Sequence, residues 1–288
     1  MYNYNDFFKS NNNDYIGTIE PVGDDIVNIN IISSLTRNIS YCVTLPGSFG
    51  GERFSVSDDG DLVASAVYSD YGKGKVSIYS NKEKKVIFET ALFKRIDWID
   101  FYNLSVVMIG EKNKTHIYNF VDDICETQND YRVFNNLFNG DIILHKENVL
   151  LLNGKKIKSK TFSFFNPVGV PDGVIISEIG GAVLKYSYEG NKEWELNIEK
   201  YGHALKIYYF ESKNILILDV FDYLKGGSTF MIVDNETGKI LKLNRFESNN
   251  YICIPQGNGY IIDYKSNVYY IDENYNWIFS HELKKGES

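Results

Sequence analysis

The chain has 288 residues, with 38 Asp and Glu against 30 Lys and Arg, and a formal charge of -8. At 43% hydrophobic and 24% charged residues it is a globular composition with ample material for a core. The acidity excludes a general nucleic-acid binder, which needs clustered Lys and Arg, and favours long-range attraction of a basic partner. Apolar runs such as Val149-Leu152 and Ile215-Leu218 fall far short of the roughly 20 residues of a helical membrane span, so no membrane association is expected.

Aromatic residues reach 15%, including 22 Tyr and 18 Phe, against only 5 Pro. Aromatic and β-branched side chains suit pleated, half-buried surfaces, whereas runs of strong helix formers are scarce. The abundance of Asn, Ile, Lys and Tyr is that of an AT-rich genome, and a bacterial or phage source is expected. The opening residues, MYNYNDFFKSNNND, lack the basic and apolar regions of a signal peptide. Three widely separated cysteines, Cys42, Cys125 and Cys253, suit a reducing compartment, and a cytoplasmic location is expected. The sequons at Asn38, Asn103, Asn113 and Asn235 are then expected to stay unmodified.

Along the chain, period-2 segments of five to eight residues alternate with turn residues, the pattern of an all-β protein. One unit recurs: an apolar strand, a polar turn and a second apolar strand. Its copies are IVNINIIS-SLTR-NISYC, KVSIYS-NKEK-KVIFE, THIYNFV-DD-ICETQ, VLLLN-GK-KIKSK, VLKYSYE-GN-KEWEL, TFMIVD-NETG-KILKL and VYYIDE-NYN-WIFSH. Marker residues before the turns (Ile32, Tyr79, Tyr118, Leu152, Tyr188, Val233, Ile271) are 34 to 47 residues apart. Two further strand-like runs precede each hairpin, as in ERFSVS and LVASAVYS around Asp58-Asp59-Gly60-Asp61. Four short strands every 40 or so residues is the period of a propeller blade.

RFSVSDDGDLVASAVYSDYGKGKVSIYSN resembles a WD-repeat blade, and PVGVPDGVIISEIGGAVLKYSYEGNKEWEL resembles a quinoprotein-type blade with Trp on its outer strand. The Trp-Asp end of a true WD repeat is absent, since Asp97-Trp98 runs in the reverse order. The resemblance implies a fold and no functional residues. The expected architecture is one seven-bladed β-propeller of four-stranded antiparallel blades, over 3-45, 52-91, 95-128, 131-161, 165-198, 203-246 and 250-284. A six-bladed ring with an irregular first segment is the alternative.

Catalytic and metal motifs are missing: no GxSxG, HExxH or Cys-x-x-Cys occurs. Gly72-Lys73-Gly74-Lys75 lacks the flanking residues of a phosphate loop and reads as a turn. Asp58-Asp59-Gly60-Asp61 lacks the alternating carboxylates and terminal Glu of a calcium loop and also reads as a turn, as do Pro171-Asp172-Gly173 and Asn235-Glu236-Thr237-Gly238. The four histidines, His116, His145, His203 and His281, show no metal-ligand spacing. Of these, only His203, at the start of a first strand near the central opening, is a candidate for a site. Asp97 and Asp100, three apart on a strand, point to opposite faces and do not form an acid-base pair. Trp98, Trp194 and Trp277 are expected to fill the space between blades. No catalytic residue, metal or cofactor is expected.

In a propeller, the connections from second to third strand and from one blade to the next share one face. Here they carry acids and aromatics on Gly-flanked loops: Asp24, Asp25, Asp70, Tyr71, Asp222 and Tyr223 on the former, and Phe49, Glu52, Asp130, Tyr131, Tyr201 and His203 on the latter. Aromatic anchors with an acidic surround fit a basic protein partner. The leading expectation is therefore a non-catalytic protein-binding propeller. More narrowly, it would be an immunity protein covering the active site of a basic bacterial toxin, such as a contact-dependent-inhibition nuclease. A general scaffold and a carbohydrate-active or lyase-type enzyme are the alternatives.

Overall fold

β-branched and aromatic residues alternate with polar ones along 28 short strands, and no α-helix occurs among the described residues. The computed structural model describes residues 6–12, 14–47, 53–67, 74–93, 96–111, 114–129, 132–135, 142–146, 149–158, 167–221, 228–246, 251–254, 260–263 and 267–282. The strands pair as seven four-stranded antiparallel sheets, each made of four strands consecutive in the chain. The first is β1 (Asp6–Lys9), β2 (Tyr15–Gly23), β3 (Ile26–Ser33) and β4 (Ile39–Pro46). This opening segment is a complete sheet, its four strands paired in chain order with a register shift in each of the β2–β3 and β3–β4 pairs. The second comprises β5 (Phe54–Val56), β6 (Leu62–Val67), β7 (Gly74–Ser80) and β8 (Lys85–Phe93). The third holds β9 (Trp98–Phe101), β10 (Val106–Glu111), β11 (Lys114–Asn119) and β12 (Ile124–Asn129).

The fourth sheet is β13 (Arg132–Asn135), β14 (Ile142–Lys146), β15 (Val149–Leu152) and β16 (Lys155–Lys158). The fifth is β17 (Val168–Val170), β18 (Gly173–Glu178), β19 (Ala182–Ser187) and β20 (Lys192–Asn197). The sixth is β21 (His203–Phe210), β22 (Ile215–Phe221), β23 (Ser228–Asp234) and β24 (Ile240–Phe246). The seventh is β25 (Tyr251–Ile254), β26 (Tyr260–Asp263), β27 (Asn267–Ile271) and β28 (Trp277–Glu282). We call the four strands of each sheet A to D in chain order. This is an all-β propeller architecture of four-stranded antiparallel blades.

Two compact units contain these sheets, β1–β12 in one and β13–β28 in the other. Within each unit the cores lie between consecutive sheets. Ile19, Ile29 and Ile31 of the first sheet meet Phe54, Val56 and Val63 of the second. Ala64, Val76 and Ile78 of the second meet Ile99, Val107 and Ile109 of the third. In the other unit, Leu150 and Leu152 meet Val174, Ile176 and Leu184, and Val170, Ile175 and Val183 meet Leu216, Leu218 and Met231. Both faces of the B strands are therefore covered, which is why β18 and most of β22 are buried along their length. The D strands are the most exposed, and β12 is exposed at all six residues.

Among the described residues, side chains stitch consecutive sheets together at the end of each sheet where its A–B and C–D turns lie. In the first unit the Asn12 amide N–H donates to Asp58 Oδ1 at 2.8 Å, and Tyr41 Oη donates to the Gly60 carbonyl at 2.8 Å. Asn153 Nδ2 donates to the Tyr188 carbonyl, and Lys155 Nζ to the Glu189 carbonyl. Trp194 Nε1 donates to the Asn235 carbonyl at 2.9 Å, and Asn244 Nδ2 to the Tyr275 carbonyl at 2.6 Å.

Several turn carboxylates at this end are held in their charged form. The Asn276 amide and side chain hold Asp272 below the ordinary value of 3.8. A hydrogen bond from Thr237 does the same for Asp234. Burial pushes Asp59 up, but the Ser57 hydroxyl, the Asp61 amide and Lys82 outweigh it and leave the carboxyl lowered. A carboxylate whose folded pKa lies below its unfolded value contributes stability that is present above the unfolded value and is lost as pH falls through the folded one. Chemical denaturation should therefore show stability falling as pH drops below about 4. Asp272→Asn should flatten that dependence, and an unchanged acid slope in the variant would refute this assignment.

Candidate functional site

The opposite end carries the B–C turns and the connections between sheets. In the first sheet, β2 and β3 meet in a turn where Glu20, Pro21, Val22, Gly23, Asp24, Asp25 and Ile26 are all exposed. A register shift between Pro21 and Gly23 twists the hairpin. Asp25 takes the left-handed conformation, at φ 53°, which Asp tolerates better than most side chains. Its carbonyl accepts from the Gly47 amide at 2.9 Å, which puts the connection after β4 beside this turn. Val22 and Ile26 remain 52% and 46% exposed. The tip thus combines three carboxylates with two uncovered aliphatic side chains.

The fifth and sixth sheets repeat the arrangement with different chemistry. Ile179, Gly180 and Gly181 form the turn between β18 and β19, and both glycines have positive φ. The Ile198 amide donates to the Gly181 carbonyl at 2.6 Å, and the Gly180 amide donates to His203 Nδ1 at 3.3 Å. Nδ1 is therefore an acceptor in this arrangement. Ser177 Oγ donates to the Ala204 carbonyl at 2.9 Å, tying β18 to the start of β21. Tyr201 is half-buried against the same core, and the Lys200 ammonium lies 4.7 Å from its ring centroid. His203 and Tyr201 are thus packed into the junction of two sheets.

Of the twelve predicted partner-binding residues, the structure describes Asp24, Asp25, Tyr201 and His203. It brings Asp24 and Asp25 together at one tip and Tyr201 and His203 at one junction. Phe49, Glu52, Asp70, Tyr71, Asp130, Tyr131, Asp222 and Tyr223 lie outside the described residues. Sequence reasoning missed the aliphatic half of the first tip. The signal was legible: Val22 and Ile26 flank Gly23-Asp24-Asp25, but a search for acids and aromatics passes over them.

The remaining candidates have structural partners. Asp100 Oδ1 accepts from Ser55 Oγ at 2.8 Å, and Ser55 Oγ accepts from the Phe101 amide at 3.1 Å, so this carboxylate ties β9 to β5. His116 lies between Glu111 Oε2 at 3.1 Å and Thr127 Oγ1 at 2.9 Å, with its ring against Phe93. His281 is hydrogen-bonded to Ser280 Oγ at 3.0 Å. The side chain of His145 lies outside the described ones. Trp194 packs against the sixth sheet at Gly238, and Trp277 packs against Phe230. Trp98 instead lies over Gly110, its partner in the neighbouring strand of the same sheet. Among the described residues no group of three or more His, Cys, Asp or Glu could hold a metal ion, and no helix is long and apolar enough to cross a membrane.

No known family model matches the chain, and no curated protein matches it. Its structure is similar to the crystal structure of the C-terminal WD40 domain of Sif2, with a TM-score of 0.62 over 95% of this chain and 78% of that one. The fold is that of a WD40-type β-propeller. At 10% identity the likeness extends to the fold alone.

Proposed function

We propose that this protein is a non-catalytic interaction module that binds a basic protein through the turn between β2 and β3. The observation that supports this most is the exposed tip from Glu20 to Ile26, where three carboxylates surround two uncovered aliphatic side chains. Apolar contact surrounded by one sign of charge is the makeup of a protein interface: the aliphatic groups supply burial, and the carboxylates supply orientation and association rate. The net charge of -8 draws in a basic protein at long range.

The test is affinity capture of a stoichiometric basic protein at low salt, followed by titration of that purified protein. The Asp24→Asn/Asp25→Asn variant keeps side chains that tolerate the turn and removes two charges. It should weaken binding roughly tenfold, mainly through the association rate, and the effect should shrink as salt rises. Unchanged affinity in the variant would overturn this assignment of the surface. A bacterial toxin covered by its immunity protein is the narrower form of the reading, and it rests on acidity and expected source. Co-expression of this chain with a basic toxin encoded beside it should then restore growth, and cells left unprotected would refute that narrower form.

A further inference from the structure

We propose that the outer edge of the third sheet, strand β12, is a second docking site, which takes an extended basic segment of a partner as a fifth antiparallel strand. An outer strand leaves a row of backbone N–H and C=O groups unpaired, and proteins blunt such edges with Lys, Pro, bulges or brevity. The other outer strands whose register is described follow that rule. β4 ends in Pro46 and carries a register shift against β3, and β8 starts at Lys85 and is shifted against β7. β16 is only four residues long, three of them lysine. β20 has Lys192 and a shift against β19, and β24 has Lys242 and Arg245 and a shift against β23.

β12 has none of these devices. Its sequence, ICETQN, contains no Lys, Arg or Pro, and its six residues pair with β11 without interruption from Lys114↔Asn129 to Asn119↔Ile124. All six are exposed, and Ile124 is 57% exposed. The result is a six-residue hydrogen-bonding edge of unbroken register, long enough to register an added strand.

Charge selects the occupant. Glu126 lies near the centre of the strand, and Asp122 and Asp123 lie in the turn before it. A segment with alternating Lys or Arg would place positive groups against them. A second copy of this chain fits poorly, because each copy carries a charge of -8 and the two would repel. This site stands apart from the Glu20–Ile26 tip and does not depend on it.

The test uses a synthetic peptide of alternating Lys and Val as the probe and reads amide hydrogen exchange along the full chain. Saturating peptide should slow exchange at alternate amides of residues 124–129 at least tenfold. Glu126→Lys and, separately, Ile124→Lys, both at exposed positions, should weaken peptide binding tenfold or more, while Asp24→Asn/Asp25→Asn should leave it unchanged. Equal binding by both lysine variants, protection confined to another outer strand, or protection of β12 by self-association without peptide would each overturn the proposal.

Discussion

Replacing Lys185 by alanine should destabilise the protein by about 3 kcal/mol. Lys185 sits on β19, only 1% exposed, between the fifth and sixth sheets. Its ammonium pairs with Asp172 at 2.7 Å and Glu193 at 3.2 Å and donates to the Asn235 carbonyl at 3.2 Å. Alanine removes both the volume and one of two donors, leaving the Asn235 carbonyl with Trp194 Nε1 alone. The carboxylates lose less, because Asp172 is 54% exposed and can turn to water. Methionine keeps most of the volume without the charge and should cost about 1 kcal/mol, since a buried ion pair replaced by a well-packed apolar group is often near neutral. Urea denaturation of the two variants separates these contributions. Equal losses for alanine and methionine would mean that the ion triad, not packing, holds this junction.

A methyl group at Gly173 should be still more disruptive for its size. A Cβ there would lie 2.1 Å from the Tyr186 carbonyl oxygen, a backbone atom of the paired strand that cannot rotate away. Gly173 lies in the interior of its sheet, with Val170 as its partner on one side and Ser187 on the other. Gly173→Ala should therefore force the strands apart at a cost of about 3 kcal/mol, and lower Tm by roughly 6–12 °C. Gly154→Ala is the control. That residue has φ 77° but open space around it, so only backbone strain opposes the methyl, at about 1–2 kcal/mol. Calorimetry that ranked the two in the opposite order would show that the β18–β19 pairing yields more readily than its geometry implies.

The repeat of four short strands was legible because each hairpin alternates apolar and polar residues and each turn is marked by Gly, Asn or Asp. Asn153-Gly154 shows the rule: both residues take positive φ and close the tight turn between β15 and β16. The Asp58-Asp59-Gly60-Asp61 segment was legible as a turn, but its part in joining two sheets was not. That depends on Asn12 and Tyr41 of the first sheet, which are distant in sequence. Lys185 was illegible for the same reason. One lysine in a strand gives no sign that two carboxylates will flank it, and Asp172 read only as a turn residue. At the candidate site, acids in turns could be picked out one by one, while the exposure of Val22 and Ile26 depends on no neighbouring core covering that turn, which a strand pattern does not reveal.

Because every sheet is assembled from strands consecutive in the chain, most hydrogen-bonded pairings are local, and little loop entropy has to be lost before they form. The apolar residues of a lone sheet are buried only when its neighbour arrives, so the pair of adjacent sheets, not the single sheet, is the smallest cooperative folding unit. Native-state exchange should accordingly resolve foldons that span neighbouring sheets, with the D strands opening first and the B strands last.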